Sequence, residues 1–245
     1  MFSRNSLILI GVATFLLFAM LNFPARVAYN WFVPDDIHLT GLGGSIWNGS
    51  AVEGSVGDMY FRNLSWTFKP FSLFVGKLAF DAEISTNAGA ISTSAGIGFN
   101  GKTTLRDVVG SLTLAAVHPA LQVNRIDGAL NIQMESMTLE NGVPTAATGV
   151  ITVGNLQAGG LSPDSLGNFR AEFSTLDDSI VGVVEDVGAV ISVAGTITLG
   201  SDRSYLFTGS IAANAQTPPA LNQNLRFLGS PDENGQRQFR FEGVL

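Results

Sequence analysis

From Ile37 onward the chain consists of short stretches in which apolar and polar residues alternate, each closed by glycine or a turn pair, and that alternation restricts it to β-structure. Period two sends successive side chains to opposite faces of a strand, so one face can be buried and the other solvated. Ile37 to Leu42 and Lys77 to Ile84 alternate in this way. The same signal runs through Leu105 to Val117, Ala129 to Leu139, Thr148 to Leu156, Phe169 to Leu176, Val190 to Leu199, Tyr205 to Ala212 and Phe239 to Leu245. Asn100-Gly101, Asn141-Gly142 and Asn234-Gly235 mark hairpins, because a type I′ turn needs positive φ at both central residues. Glycine followed by a small residue and alternating aliphatics recurs at Gly44, Gly110, Gly128, Gly195 and Gly209. Its irregular spacing reads as hairpin entry points in an antiparallel meander, not as a fixed-period solenoid. Only Trp66 to Val75, Ser179 to Val190 and Thr217 to Leu225 are candidates for helix, the last because Pro218 and Pro219 suit a helix start.

A different texture precedes this. From Leu7 to Phe23 the residues are apolar apart from Thr14 and Asn22, with a glycine at Gly11. At about 1.5 Å per residue such a run, extended to about twenty residues by its flanks, just crosses a hydrocarbon core of about 30 Å. The apolar run exceeds a usual signal-peptide h-region of about 7–15 residues, and Arg26 interrupts the small-x-small pattern of a cleavage site. These features weigh towards an uncleaved anchor, with a cleaved signal peptide as the other reading. Arg4 ahead of the run favours a cytoplasmic N-terminus. The expected layout is a cytoplasmic end at 1–6, a transmembrane anchor at 7–25, a linker at 26–36 and a β-rich domain at 37–245, with 159–167 a candidate boundary between two halves. Tyr29, Trp31 and Phe32 read either as an interfacial aromatic belt or as an apolar start to the soluble fold.

The expected fold class is therefore mainly β: an N-terminal transmembrane helix followed by an antiparallel, curved β-sheet assembly, either a sandwich or an open sheet. With 46% apolar and 13% charged residues the chain can build a core and is not disordered. A net charge of −7 with lysine only at Lys69, Lys77 and Lys102 leaves no basic patch, which makes nucleic acid and charge-driven binding to anionic lipid poor expectations. The absence of cysteine excludes disulfides, thiol catalysis and thiolate metal sites.

The residues offer little chemistry. His38 and His118 each lie in or beside an apolar stretch and read as structural histidines. There is no HExxH or GxSxG pattern. The acidic pairs Asp35-Asp36, Asp177-Asp178 and Glu185-Asp186 read as solvated turns, since neighbours on a strand point to opposite faces. Asp232-Glu233-Asn234-Gly235 lacks the remaining ligands of a calcium loop and reads as a turn. No enzyme activity, cofactor or metal is expected.

Two segments carry a resemblance. The first runs from Leu39 through Gly41, Gly44, Trp47 and Gly49 to Ala51, followed by Leu64-Ser65-Trp66-Thr67-Phe68-Lys69-Pro70. The second runs from Leu225 through Leu228, Gly229, Asp232 and Gly235 to Arg237, then Phe239-Arg240-Phe241-Glu242-Gly243-Val244-Leu245. With the N-terminal anchor they resemble the general secretion pathway protein N family of the bacterial type II secretion system. The resemblance implies an accessory inner-membrane component, single-pass, with its bulk in the periplasm. It would work through contacts with other inner-membrane secretion subunits during export of folded proteins across the outer membrane. The middle, about Ile84 to Asn214, carries no matching motif. A second reading is a lipid-handling protein resembling the AsmA-like group, whose curved sheets offer acyl chains an apolar concave face. A third, an outer-membrane barrel, suits the Phe239-Arg240-Phe241-Glu242 alternation but lacks aromatic girdles.

Overall fold

The computed structural model describes residues 4–33, 37–56, 59–86, 88–98, 100–117 and 126–244. Asp35, Asp36 and His118 lie outside the described residues. The chain opens with two helices, α1 (Arg4–Leu21) and α2 (Ala25–Phe32), and continues through β1 (Ile37–Thr40), β2 (Gly43–Gly44), β3 (Asn48–Val56) and β4 (Met59–Phe68). A 3₁₀ turn at Pro70–Val75 leads to β5 (Lys77–Thr86), β6 (Gly89–Gly98) and β7 (Thr103–Thr113). A second 3₁₀ turn at Leu114–Val117 precedes β8 (Ile126–Glu140), β9 (Val143–Ala158), β10 (Ser165–Leu176), β11 (Ser179–Val187), β12 (Ile191–Leu199) and β13 (Ser204–Ala213). Then come α3 (Pro219–Asn224), a 3₁₀ turn at Leu225–Leu228 and β14 (Gln236–Val244).

All these strands form one sheet in the order β1-β3-β4 and then consecutively to β14, with β2 at the side of β3 and every pairing antiparallel. Among the described residues the sheet does not close on itself and there is no second sheet, so of the two expected forms it takes the open one. The stretch at 159–164 joins the paired strands β9 and β10 within that sheet.

Register explains why a chain so poor in charge forms this surface. One row of partners runs Ala51, Leu64, Ile84, Ile91, Gly110, Ile132, Ile151, Ala171, Val184, Gly195, Gly209 and Phe239, from β3 to β14 with no polar member. The row beside it runs Ser50, Ser65, Glu83, Ser92, Val109, Gln133, Val150, Glu172, Val183, Thr196, Thr208 and Arg240. Directly opposed residues share a face, so the whole sheet has one apolar side and one largely polar side.

The sheet curls towards its apolar side. Ile180 on β11 packs with Met134 on β8 and Ala147 on β9, joined by Val108 and Leu199 from strands farther out. A second cluster sets Leu221 of α3 and Leu225 beneath it against Leu166, Ile191 and Ile211. Asn224 Nδ2 donates to the Leu161 carbonyl at 2.8 Å and Thr217 Oγ1 to the Val190 carbonyl at 2.5 Å, fixing this cover to the ends of β9 and β12.

Several expectations are corrected. Ser179 to Val190 is not helix but mostly β11, because Gly182 admits the Phe173 ring from the strand beside it. Trp66 to Val75 is the end of β4 and a 3₁₀ turn, with Pro70 starting the turn. Gly110, Gly128, Gly195 and Gly209 lie inside strands, not at hairpin entries. A side chain at Gly195 would overlap the Phe207 ring, and one at Gly209 the Phe239 ring, so these glycines leave room for aromatic neighbours. Asn141 and Gly142 do take positive φ together, whereas at Asn100-Gly101 and Asn234-Gly235 only the glycine does. Asp177 and Asp178 form the hairpin turn between β10 and β11, also with positive φ.

At the N-terminus, the apolar run divides. Pro24 ends the helical register, so α1 stops at Leu21, and α2 begins at Ala25, the last residue of the expected anchor, and runs on through the expected linker to Phe32. Among the described residues no helix is long and apolar enough to cross a membrane. The 18 residues of α1 span about 27 Å, just short of about 30 Å.

Candidate functional site

The sheet and the helices meet at one corner, and the first family-like segment builds it. Pro24 pairs with Ser45, and the Ile46 amide donates to the Phe23 carbonyl at 3.1 Å. Trp47 Nε1 donates to the Met20 carbonyl at 2.9 Å, taking up a helix C-terminal oxygen that has no partner within α1. The Trp47 ring lies 4.7 Å from Phe68, which lies 5.2 Å from Phe80. Trp66 Nε1 donates to the Ile46 carbonyl at 3.2 Å, and its ring passes over Gly49, where any side chain would collide with it. Gly41 and Gly44 hold φ of +65° and +78°, which lets the chain reverse twice between β1 and β3. Pro70 then turns the backbone out of β4.

Helix α2 lies on the apolar side of this corner. Arg26 Nε donates to the Leu42 carbonyl at 2.7 Å, and Tyr29 Oη donates to the Ile37 carbonyl at 2.9 Å while accepting from the Leu39 amide at 3.2 Å. Tyr29 is thus part of the fold, while Trp31 is exposed, its ring 5.8 Å from that of Phe23 and tilted by 52° to it. Between α2 and the sheet an open apolar recess of about 290 Å³ is walled by Ala28, Val33, Leu39, Ile46, Trp66 and Phe80. The sequence hid these clamps because Arg26 and Tyr29 act through backbone carbonyls, which no residue pattern reveals.

The second family-like segment lies at the other edge. Leu228 ends the 3₁₀ turn after α3, and Gly229, at φ +112°, accepts from Arg237 Nε at 3.2 Å. Asp232 accepts from the amides of Asn234 and Gln236, both at 2.9 Å, and Gly235 at φ +76° completes the turn. Gly243 lies under the Tyr205 ring. Phe227, next to Leu228, is exposed at the surface. The two segments occupy separate edges of the sheet, β1 to β4 and β13 to β14.

Electrostatics across the polar side are those of exposed pairs. Lys69 Nζ lies 2.7 Å from Asp81 and donates to Ser94 Oγ at 3.0 Å, while Ser94 donates to Asp81. The Lys69 ammonium first, then the Ser94 hydroxyl, holds the Asp81 carboxyl below the usual carboxylate range. Ser204 does the same for Asp202 in the β12–β13 turn. His38 is exposed on β1, and among the described residues no three His, Asp or Glu side chains converge to hold a metal. The arrangement offers surfaces and backbone clamps.

Comparison with known proteins identifies the family. The model of the family described as type II secretion system (T2SS), protein N, matches residues 35–240. The chain belongs to that family. It is 24% identical over 250 residues to the type II secretion system protein N of Aeromonas hydrophila, covering 96% of each chain. It is 22% identical over 236 residues to the Vibrio cholerae protein of the same name, covering 92% of each. A protein N sequence from Aeromonas salmonicida is 40% identical over 47 residues, all of that sequence and 19% of this chain. No solved structure matches. Protein N membership gives the chain a role in the type II secretion machinery, with other secretion-system subunits as partners.

Proposed function

We propose that this protein N is an accessory inner-membrane component of the machinery, held by α1 and acting through protein contacts without turnover. The supporting observation is the character of α1: Leu9, Phe15, Leu16 and Phe18 are 60–73% exposed, and apolar side chains are exposed all round it. A helix apolar on every side, its side chains largely exposed along its length and Trp47 fastened to its C-terminal end, is suited to lipid, and flanking residues would supply the last few ångströms of span. The sheet, with its bulk in the periplasm, then presents Trp47 at one edge and exposed Phe227 at the other to neighbouring subunits.

Deleting the gene and comparing secreted with periplasmic protein pools tests the role. Exoproteins trapped in the periplasm are expected. Photo-crosslinkers placed at Trp47 and Phe227 in cells should capture other secretion subunits, and alkaline extraction should leave the chain in the membrane pellet. Normal secretion after deletion would reject the accessory role, and release by alkali would reject the anchor.

The uncovered apolar side of β4 to β6 favours a second reading, lipid handling. Phe61, Leu64, Phe68, Leu78 and Phe80 are only half-buried there. Normal secretion with disturbed membrane lipids in the deletion strain would transfer the weight to it.

A further inference from the structure

The 3₁₀ turn Pro70–Val75 places Phe71 and Phe74 at 81% and 87% exposure, with Leu73 and Val75 at 47% and 71%. The two rings stack on each other at 6.4 Å, with so little of either surface covered that no body of the protein lies over them. The turn is nevertheless held firmly. Ser72 Oγ donates to the Lys69 carbonyl at 2.6 Å and accepts from the Ala79 amide at 3.1 Å, and Gly76 closes the turn at φ +70°. An exposed aromatic pair on a fixed turn marks an interaction surface.

Position says what meets it. The turn leaves β4 two residues after Phe68, which packs on Trp47, and Trp47 holds the Met20 carbonyl at the end of α1. Neighbouring strands are spaced by about 4.8 Å, so the turn between β4 and β5 lies within about 10–15 Å of the point where α1 joins the sheet. The turns farther along that same end of the sheet centre on Asn100-Gly101, Asn141-Gly142, Asp177-Asp178 and Ser201-Asp202. The apolar turn is therefore the one beside the apolar helix, and the turns farther along centre on polar residues and glycine. Lys69 and Lys77 bracket the turn, placed as headgroup-level cations would be.

We infer that Phe71 and Phe74 enter the membrane interface beside α1, giving the sheet a second contact with the bilayer and fixing its tilt. The inference rests on α1 being the anchor, and its test separates the two. The chain has no cysteine, so single substitutions Phe74→Cys, Leu16→Cys and Ser201→Cys each give one labelling site. The full-length variants, labelled with an environment-sensitive fluorophore, are reconstituted into vesicles of phosphatidylethanolamine and phosphatidylglycerol carrying spin-labelled acyl chains. The Phe74 probe should lose most of its emission to the lipid quencher, and the Ser201 probe little. Quenching at both Phe74 and Leu16 with Ser201 little affected supports the inference, whereas quenching at Phe74 without Leu16 overturns the anchor and with it the second contact inferred beside it. Quenching at Leu16 with Phe74 no more affected than Ser201 overturns the inference and leaves the anchor standing. Quenching at neither site overturns both.

Discussion

The two halves of the sheet share one pattern of alternation and differ in what covers it. Within β1 to β7, Ala51 is the one fully buried apolar strand residue among those described, whereas Leu130, Met134, Ala147, Leu166, Ile180, Ile191 and Ile211 are buried in β8 to β13. The later half curls so that β11 meets β8 and β9, and α3 seals its end. The earlier half has α2 at one corner and an apolar side otherwise half-open. A single-layer sheet buries an apolar face only where it bends back or where a helix lies on it. The stabilising core therefore belongs to the later strands, and the surfaces free for lipid or protein to the earlier ones.

Truncation of the best-covered side chain is the largest expected effect. Leu225, with no exposure, should cost about 3–5 kcal/mol as Leu225→Ala, seen as a lower melting temperature of the full chain in detergent by far-ultraviolet circular dichroism. Phe80→Ala, on the half-covered side, should cost roughly half of that because less area leaves water when it packs. Equal losses would erase the distinction between the halves.

Glycine positions sharpen the comparison further. Gly182 lies against the Phe173 ring, and a methyl group there would force the ring aside, so Gly182→Ala should destabilise by about 1–3 kcal/mol. Gly96 has nothing nearer to an added carbon than the Thr104 carbonyl at 3.8 Å, and Gly96→Ala should stay within about 0.5 kcal/mol of the parent. A large cost at Gly96 would mean the earlier half is packed as tightly as the later one.

These contrasts also divide what could be read from the sequence. Most strands were legible because their alternation is local: β5, β7 to β10 and β12 to β14 appear where Lys77, Leu105, Ala129, Thr148, Phe169, Val190, Tyr205 and Phe239 begin periodic runs. β11 was not, since Gly182 and Gly188 break the run: the reason for Gly182 is a ring on another strand, and Gly188 turns the chain at φ +69°. β6 was not, since its alternation of small residues, Ala90 to Gly98, carries almost no apolar contrast. At the corner, Gly41, Trp47, Gly49 and Trp66 were legible as a group; the Trp66 ring lies over Gly49 and its Nε1 reaches the Ile46 carbonyl beside Trp47, while Gly41 lies against Val52. That Trp47 would fasten α1 was not, because its acceptor is the Met20 carbonyl, and every residue has one.

Loss of that fastening should be smaller than a core truncation and local. Trp47→Phe keeps a ring against Phe68 but removes the donor to Met20, a loss of about 1 kcal/mol. Amide exchange at Ile46, which donates to Phe23, should accelerate while amides of β9 and β10 stay protected. Acceleration throughout the sheet would show that the corner, not the curled half, sets global stability.

The smallest effect tests the polar side of the open half. Asp81 pairs with Lys69 at the base of the aromatic turn, but both side chains are about half exposed, so solvent screens them and Asp81→Asn should cost only about 0.5 kcal/mol at neutral pH. The sign follows from the carboxyl. Its proton affinity is lowered in the folded chain by Lys69 and then Ser94, so the folded state favours the charged form more than the unfolded state does. The stabilisation is fully present above the ordinary carboxylate range near about 4 and is lost as pH falls through the lower folded value. The difference in melting temperature between parent and Asp81→Asn should shrink below about pH 4 and also in about 1 M salt, where the screening length falls to about 3 Å. A loss of several kcal/mol that survives salt would mean that β4 to β6 are held mainly through their polar side. The open apolar side would then contribute less to stability than its row of Leu64, Ile84 and Ile91 implies.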